Sequence, residues 1–138
     1  GLILGSACEA GELYRAILDE KSDAEIARIV DFYDYLEIQP SGNNKFMITS
    51  EKVPLVNSIE DIQNINKRIV KLGEQFNKPV VALTGSIGKG YENVYDHGID
   101  SVFSVQPGPM TLEESMEKAK DLLCDTAERV IRLFKINN

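Results

Sequence analysis

The chain has 138 residues, of which 43% are hydrophobic and 27% are charged, and its net charge is −7 at pH 7. This composition is ordinary for a single globular domain, and it disfavours disorder and a membrane span. Because no face is visibly basic, we expect no autonomous nucleic-acid binding and no membrane partner. The cysteines, Cys8 and Cys124, share no metal-type spacing. They favour a reducing, cytoplasmic compartment.

Apolar runs and turn residues predict alternating strands and helices in the first half of the chain. Residues 2–4 are predicted as a buried strand and residues 11–18 as a helix. A capping box formed by Ser22 and Glu25 predicts the start of the next helix. A strand over residues 35–38 and a short edge strand over 46–48 are expected to follow. The start at Gly1, without a leader, predicts that this segment comes from the interior of a longer protein.

The second half continues the alternation of helices and strands. Asn57 or Ser58 is predicted to cap a helix, and a continuous apolar run predicts a buried strand over residues 79–83. A glycine-rich loop, a short helix over 91–96 and a strand over 100–105 come next. Thr111 and Glu114 form a further capping box. The last helix is predicted to run to about residue 135 and to bury Leu112, Met116, Ala119, Leu123, Ala127, Val130 and Phe134.

These elements predict the α/β class, with one domain over residues 1–138. We expect a mostly parallel sheet with helices on both faces, built from partial βα units. A truncated sheet of this kind would leave an edge uncovered, so self-association through an exposed sheet edge is one expectation.

Cys8 is the candidate metal ligand. It follows the first predicted strand, where α/β proteins place ligand groups, and Glu9 and Glu12 are near it in sequence. A thiolate beside two carboxylates could hold a zinc-type ion. The alternative is a small buried cysteine in a tight turn, with both carboxylates favouring a helix N-terminus. The alternative is favoured, because zinc requires three or four ligands.

The loop after the predicted strand 79–83 is the candidate anion site. Its residues Gly85, Ser86, Gly88, Lys89 and Gly90 would offer backbone amides and one ammonium group to a phosphate. Their spacing is neither that of the nucleotide P-loop nor that of the dinucleotide fingerprint. Tight packing of glycines is the alternative.

Other polar residues are given structural interpretations. The lone histidine, His97, is interpreted as a helix C-terminal residue, and Ser104 has no histidine at the spacing of a serine triad. Asp31, Asp34 and Glu37 could suggest paired carboxylates for acid–base work. They are interpreted instead as solvated charges at helix and strand ends.

Three ordered motifs within residues 1–82 resemble the PHP domain of PolC-type DNA polymerase III alpha subunits. They are LGSACEAGE at 4–12, FYDYLEIQP at 32–40 and INKRIVKLG at 65–73. The resemblance implies a distorted α/β barrel with a divalent-metal cluster, and it places Cys8 at a metal-ligand position. It also implies that Ser86 and Gly88 occupy the places of an aspartate and a histidine ligand, which neither can replace.

Residues 78–138 are similar to the C-terminal segment of bacterial glycerate kinases. The motifs are PVVALTGS at 79–86, GYE at 90–92, HGIDSVFS at 97–104 and PGPMTLEE at 107–114. The resemblance implies a kinase that uses ATP and a divalent ion, of which this segment supplies a strand, a glycine-rich loop and a closing helix. Both resembled families transfer phosphorus-containing groups.

The two resemblances overlap in a shared Lys-Pro-Val-Val-Ala strand, which is a natural crossover point. The main hypothesis is therefore a fragment or hybrid derived from the PHP region of a replicative polymerase, without autonomous catalysis or a cofactor of its own. One alternative is a phosphotransferase fragment related to glycerate kinase that retains an anion-binding loop. The other is a structural module that self-associates.

Overall fold

The computed structural model of the protein describes residues 2–135. The chain divides into two compact units, one that ends at Val80 and one that begins at Val81. We call them unit 1 and unit 2. The boundary falls inside the strand predicted over residues 79–83, where the two resemblances overlap.

Unit 1 is built from helices. They are α1 (Glu12–Leu18), α2 (Asp23–Phe32), a 3₁₀ helix (Ser41–Thr49) and α3 (Ile59–Gln75). The capping box predicted at Ser22 and Glu25 is confirmed, and Ser58 forms a second one with Asp61. In each box the serine hydroxyl accepts from an amide of the first turn, and the acidic side chain accepts from the serine amide. These bonds satisfy amides that a helix start leaves unpaired.

The core of unit 1 lies between these helices. Its buried side chains are those of Leu13, Tyr14, Ala16, Ile17, Ile26, Val30, Met47, Val56, Ile62 and Ile69. The isoleucines of α3 recur at helical spacing, and two of them, Ile62 and Ile69, are buried. Full burial of one such aliphatic side chain contributes about 1.5–3 kcal/mol.

The strands predicted in unit 1 are not formed. The segments around residues 2–4 and 35–38 pair in an isolated parallel bridge between Gly5 and Tyr35, which neighbouring backbone hydrogen bonds accompany. The edge strand predicted over residues 46–48 is wrong, because these residues complete the 3₁₀ helix. The turn-forming residues before them start a 3₁₀ helix with i→i+3 hydrogen bonds, and residues 46–48 continue it. Met47 in this helix is buried.

Unit 2 contains a small parallel sheet. Its elements are β1 (Val81–Thr84), a 3₁₀ helix (Tyr91–His97), β2 (Ser101–Ser104), α4 (Leu112–Glu117) and α5 (Ala119–Phe134). β1 and β2 pair in parallel from Val81 opposite Ser101 to Thr84 opposite Ser104. Because parallel strands require a crossover connection, the loop and the 3₁₀ helix between them form that crossover. α5 packs against β1.

The single C-terminal helix of the prediction is divided in the structure. α4 ends at Glu117 and α5 begins at Ala119, and the capping box at Thr111 and Glu114 is confirmed. The predicted burial is wrong for Leu112 and Met116, whose residues are 79% and 71% exposed. Helical spacing identifies an apolar face but not whether another element covers it. The exposed residues also include Ala119 and Leu123, whereas Val130 is buried as predicted.

The architecture is rich in helices, with a two-stranded parallel sheet in the part of the chain that the structure describes. The α/β class is therefore plausible, while a mostly parallel sheet covered on both faces is not confirmed. Within residues 2–135, no helix combines the length and apolar content that crossing a membrane requires.

Candidate functional site

The glycine-rich loop of unit 2 leaves the carboxyl end of β1 beside the carboxyl end of β2. All six of its residues, 85–90, are exposed. Two hydroxyl groups fix its start: Ser104 Oγ donates to the Gly85 carbonyl at 3.2 Å, and Thr84 Oγ1 donates to the Ser86 carbonyl at 3.2 Å. The loop thus begins at an edge of the sheet where open α/β proteins bind ligands.

The glycines of this loop are not all explained by the same structural requirement. Gly90 has a φ of +82°, a conformation that favours glycine. A Cβ added at Gly85 or Gly88 would meet no heavy atom within 4 Å. Close packing therefore does not account for those two glycines.

The donors of the loop face solvent. The backbone amides from Ser86 to Lys89 donate no hydrogen bond within the described residues, and the Lys89 ammonium joins no ion pair there. Free amides together with one cationic side chain are the chemistry that receives an oxyanion. His97 is exposed at the end of the 3₁₀ helix, as its interpretation as a helix C-terminal residue requires.

Cys8 lies in a tight turn of unit 1 and is half-buried. Its carbonyl accepts a bond from the Gly11 amide at 2.9 Å. A Cβ at Gly11 would overlap the Ser6 carbonyl oxygen, so the turn requires glycine there. Among residues 2–135, no three His, Cys, Asp or Glu side chains come together as a metal site.

A group of buried polar side chains, which sequence reasoning missed, lies elsewhere in unit 1. Burial raises the pKa of Glu37, and the negative charge of Glu9 raises it further. Burial also raises the pKa of Tyr14, against a lowering by the Asn44 side chain, and Glu9 again adds to the rise. Glu37 is half-buried, which corrects its interpretation as a solvated strand-end charge.

A sequence signal for this group exists, although it is weak. Glu9 and Glu37 each follow one of the two segments that meet at the bridge between Gly5 and Tyr35. Residues that follow neighbouring parallel segments lie at the same edge, so the order of motifs could have paired the two glutamates. Nothing in the local pattern indicates that Asn44 is buried.

Comparison with known proteins identifies relatives of both units. The model of the glycerate kinase family matches residues 63–135, more than half of the chain. The chain belongs to the glycerate kinase family. The glycerate kinase of Halalkalibacterium halodurans is 42% identical over 62 residues, which are 45% of this chain and 16% of that protein.

This member of the glycerate kinase family is also similar to polymerases. DNA polymerase III PolC-type of Clostridium perfringens is 51% identical over 82 residues, and that of Caldanaerobacter subterraneus is 49% identical over 82 residues. Each match covers 59% of this chain and 6% of the polymerase. The predicted resemblances to PolC-type DNA polymerase III and to glycerate kinase are thereby confirmed. The chain spans a small part of each relative, and no solved structure matches it.

Proposed function

We propose that this chain is a hybrid whose kinase-like unit binds a phosphate-type oxyanion at the Gly85–Gly90 loop and has no catalytic turnover of its own. One observation carries the proposal: exposed, unpaired amides and Lys89 lie together at the carboxyl end of β1. Membership of the glycerate kinase family supports a phosphorylated ligand. The similarity to PolC-type polymerases supports the hybrid origin.

The chemistry of the loop favours a small, tetrahedral anion. Backbone amides and an ammonium group are donors that the oxygens of such an anion accept, and Gly90 at the end of the loop is left-handed. The Lys89 ammonium adds a point charge that can follow the anion in solvent. The phosphate group of a nucleotide or of a phosphorylated hydroxy acid has the required oxygens. Because the site is open to water, we expect weak, salt-sensitive binding.

A thermal-shift experiment tests the anion site. Inorganic phosphate should raise the melting temperature of the chain relative to sodium chloride of equal ionic strength. Lys89→Gln should remove most of that rise, because it removes the only charged side chain of the loop. Lys120→Gln, which removes an equal charge from exposed α5, is the matched control and should leave the rise unchanged. An equal rise in wild type and Lys89→Gln would refute the site.

A coupled assay with ATP, Mg²⁺ and glycerate tests the lack of turnover. No ADP formation above the background is expected, because the segment that matches a glycerate kinase covers 16% of that protein. Glycerate-dependent ADP formation that is lost in Lys89→Gln would contradict this part of the proposal and favour the phosphotransferase alternative.

Self-association is a second candidate function. Within residues 2–135 the sheet of unit 2 has two strands, so each strand pairs along one edge only. Unpaired strand edges invite pairing with another chain. Sedimentation velocity over a wide range of concentrations tests this candidate. A concentration-dependent dimer supports it, and a monomer throughout counts against it.

We also propose a cytoplasmic location, no binding of nucleic acid by the isolated chain, and a mostly parallel sheet. A cytoplasmic location is supported by two free cysteines, Cys8 and Cys124. The absence of nucleic-acid binding by the isolated chain is supported by its net charge of −7. A mostly parallel sheet is supported by the parallel pairing of β1 with β2 and by the parallel bridge in unit 1.

A further inference from the structure

One row of side chains in unit 2 runs along α4 and α5 at alternating steps of three and four residues. Two of its positions, Thr126 and Val130, are buried, and α5 packs against β1. The other five positions are exposed, and we call them the α4–α5 stripe: Leu112, Met116, Ala119, Leu123 and Leu133. The packing of α5 therefore buries only part of this face.

The joint between the two helices keeps the stripe in register. The Lys118 amide donates to the Glu114 carbonyl at 3.1 Å, and the Leu122 amide donates to the Lys118 carbonyl at 3.0 Å. Both bonds span four residues, as they do within an uninterrupted α-helix. At a rise of about 1.5 Å per residue, the stripe from Leu112 to Leu133 is about 30 Å long.

The spacing of the stripe indicates which kind of surface covers it. Single exposed apolar side chains are ordinary, whereas several in one row mark an interaction surface. Apolar residues at alternating steps of three and four form the seam along which two helices pack side by side. The complementary surface is therefore a helix that carries the same spacing.

The charges at the two ends of the stripe indicate the partner and its direction. Residues 112–117 contain three glutamates and no basic residue, whereas residues 129–135 contain two arginines, one lysine and no acidic residue. All six charged side chains are exposed. Arg129 and Arg132 form ion pairs within α5, but exposed pairs of this kind are weak and do not hold the side chains in place.

These charges make the surface complementary to itself. Antiparallel pairing of two copies places the acidic end of each stripe beside the basic end of the other. Parallel pairing would place like charges together, which is unfavourable. An interface with two-fold symmetry requires such a self-complementary surface.

We propose that two copies of this chain pair side by side and antiparallel along the α4–α5 stripe. The proposal concerns self-association, but it rests on a helix face rather than on the strand edges of unit 2, and it does not depend on the anion site. The contact is narrow, so it buries less than the about 800 Å² per partner of a stable interface. We therefore expect a weak dimer that is dissociated at the low-micromolar concentrations used for circular dichroism.

Sedimentation equilibrium of the full chain tests the surface. The wild type should pass from monomer to dimer between low-micromolar and near-millimolar concentrations. Leu123→Glu places a carboxylate within the stripe and should weaken the dimer by about tenfold or more, because the contact would bury an unpaired charge. Leu55→Glu makes the same change at an equally exposed leucine of unit 1 and should leave the dimer unchanged. Far-UV circular dichroism checks that both variants fold.

Charge reversal tests the antiparallel direction. Glu113→Lys combined with Glu117→Lys places lysines opposite the basic end of the other copy and should weaken the dimer by about tenfold. Arg132→Glu combined with Lys135→Glu should weaken it similarly from the other end. An equimolar mixture of the two double variants should form the dimer again, because each carries charges that complement those of the other.

Three results would overturn the proposal. The first is a wild type that stays monomeric at every concentration, which would also count against pairing of the strand edges. The second is a dimer that Leu123→Glu retains, which would assign self-association to another surface such as those edges. The third is a charge-reversed variant that forms the dimer as well as the wild type does. None of these results bears on phosphate binding, which Lys89→Gln tests separately.

Discussion

The substitutions Ile62→Ala and Leu112→Ala should affect stability very differently, although helical spacing alone does not distinguish the two residues. Both lie at apolar positions that recur at helical spacing. Ile62 is 0% exposed in unit 1, whereas Leu112 is 79% exposed at the start of α4. Removing the γ and δ carbons of Ile62 forfeits about 2 kcal/mol of transfer free energy. The cavity left behind raises the expected loss of unfolding free energy to about 3 kcal/mol.

Urea denaturation followed by far-UV circular dichroism measures both effects. With an m-value of about 1.5 kcal/mol/M, the midpoint of Ile62→Ala should fall by about 2 M. Leu112→Ala should change the unfolding free energy by less than about 0.5 kcal/mol, because its side chain already meets solvent. If Leu112→Ala lowers the unfolding free energy as much as Ile62→Ala does, the Leu112 side chain is covered in solution. That result would refute the reasoning from exposure.

Two further predictions concern helix starts and a tight turn. Hydrogen bonds at the helix starts lower the pKa of the carboxyl groups of Glu25, Asp61 and Glu114 below their ordinary values of 4.5 for Glu and 3.8 for Asp. For Asp61 the largest cause is the bond from the Asn57 amide, followed by the bond from the Ser58 hydroxyl. The ionised carboxyl groups therefore stabilise the fold fully above their ordinary pKa values, and this stabilisation is lost as the pH falls through the lowered pKa values of the folded state. Melting curves recorded from neutral to acidic pH should show a falling midpoint of unfolding. A midpoint that does not change with pH would contradict the prediction. Gly11→Ala should lower the unfolding free energy by about 1–3 kcal/mol, because its Cβ would overlap a backbone carbonyl. Gly42→Ala is the matched control with no neighbour within 4 Å, and an equal loss in both variants, measured by urea denaturation, would contradict the steric argument.

Local signals predicted helix starts well. The capping boxes at Ser22 and Thr111 are formed as the sequence indicates, because all their atoms lie within one turn of the chain. The isoleucines of α3 also recur at helical spacing, and Ile62 and Ile69 are buried while Ile59 and Ile65 are partly buried against the core. These features depend on residues three or four positions apart, so their pattern can be read without knowing where distant segments lie.

Features that depend on distant segments were predicted less well. Residues 46–48 have the composition of a short strand, but a strand needs a partner, and the turn residues before them continue as a 3₁₀ helix instead. The exposure of Met116 depends on whether another element covers α4, which periodicity does not reveal. The half-burial of Glu37 was missed for the same reason, since the segments that cover it are brought together only by folding.

The candidate loop was located from sequence because its chemistry is local. A glycine-rich segment after a continuous apolar strand indicates both the strand and the turn. The structure adds that two of its glycines have no packing reason and that its amides are unpaired. The binding of an anion there stays a prediction.

Nuclear magnetic resonance of the ¹⁵N-labelled chain, titrated with inorganic phosphate, tests the proposed anion site most directly. The amide signals of residues 86–90 should shift together and saturate, while those of the α3 amides stay in place, and Lys89→Gln should weaken the response. Shifts spread evenly over the exposed surface, or no saturable shift at the loop, would show that these amides do not form an oxyanion site.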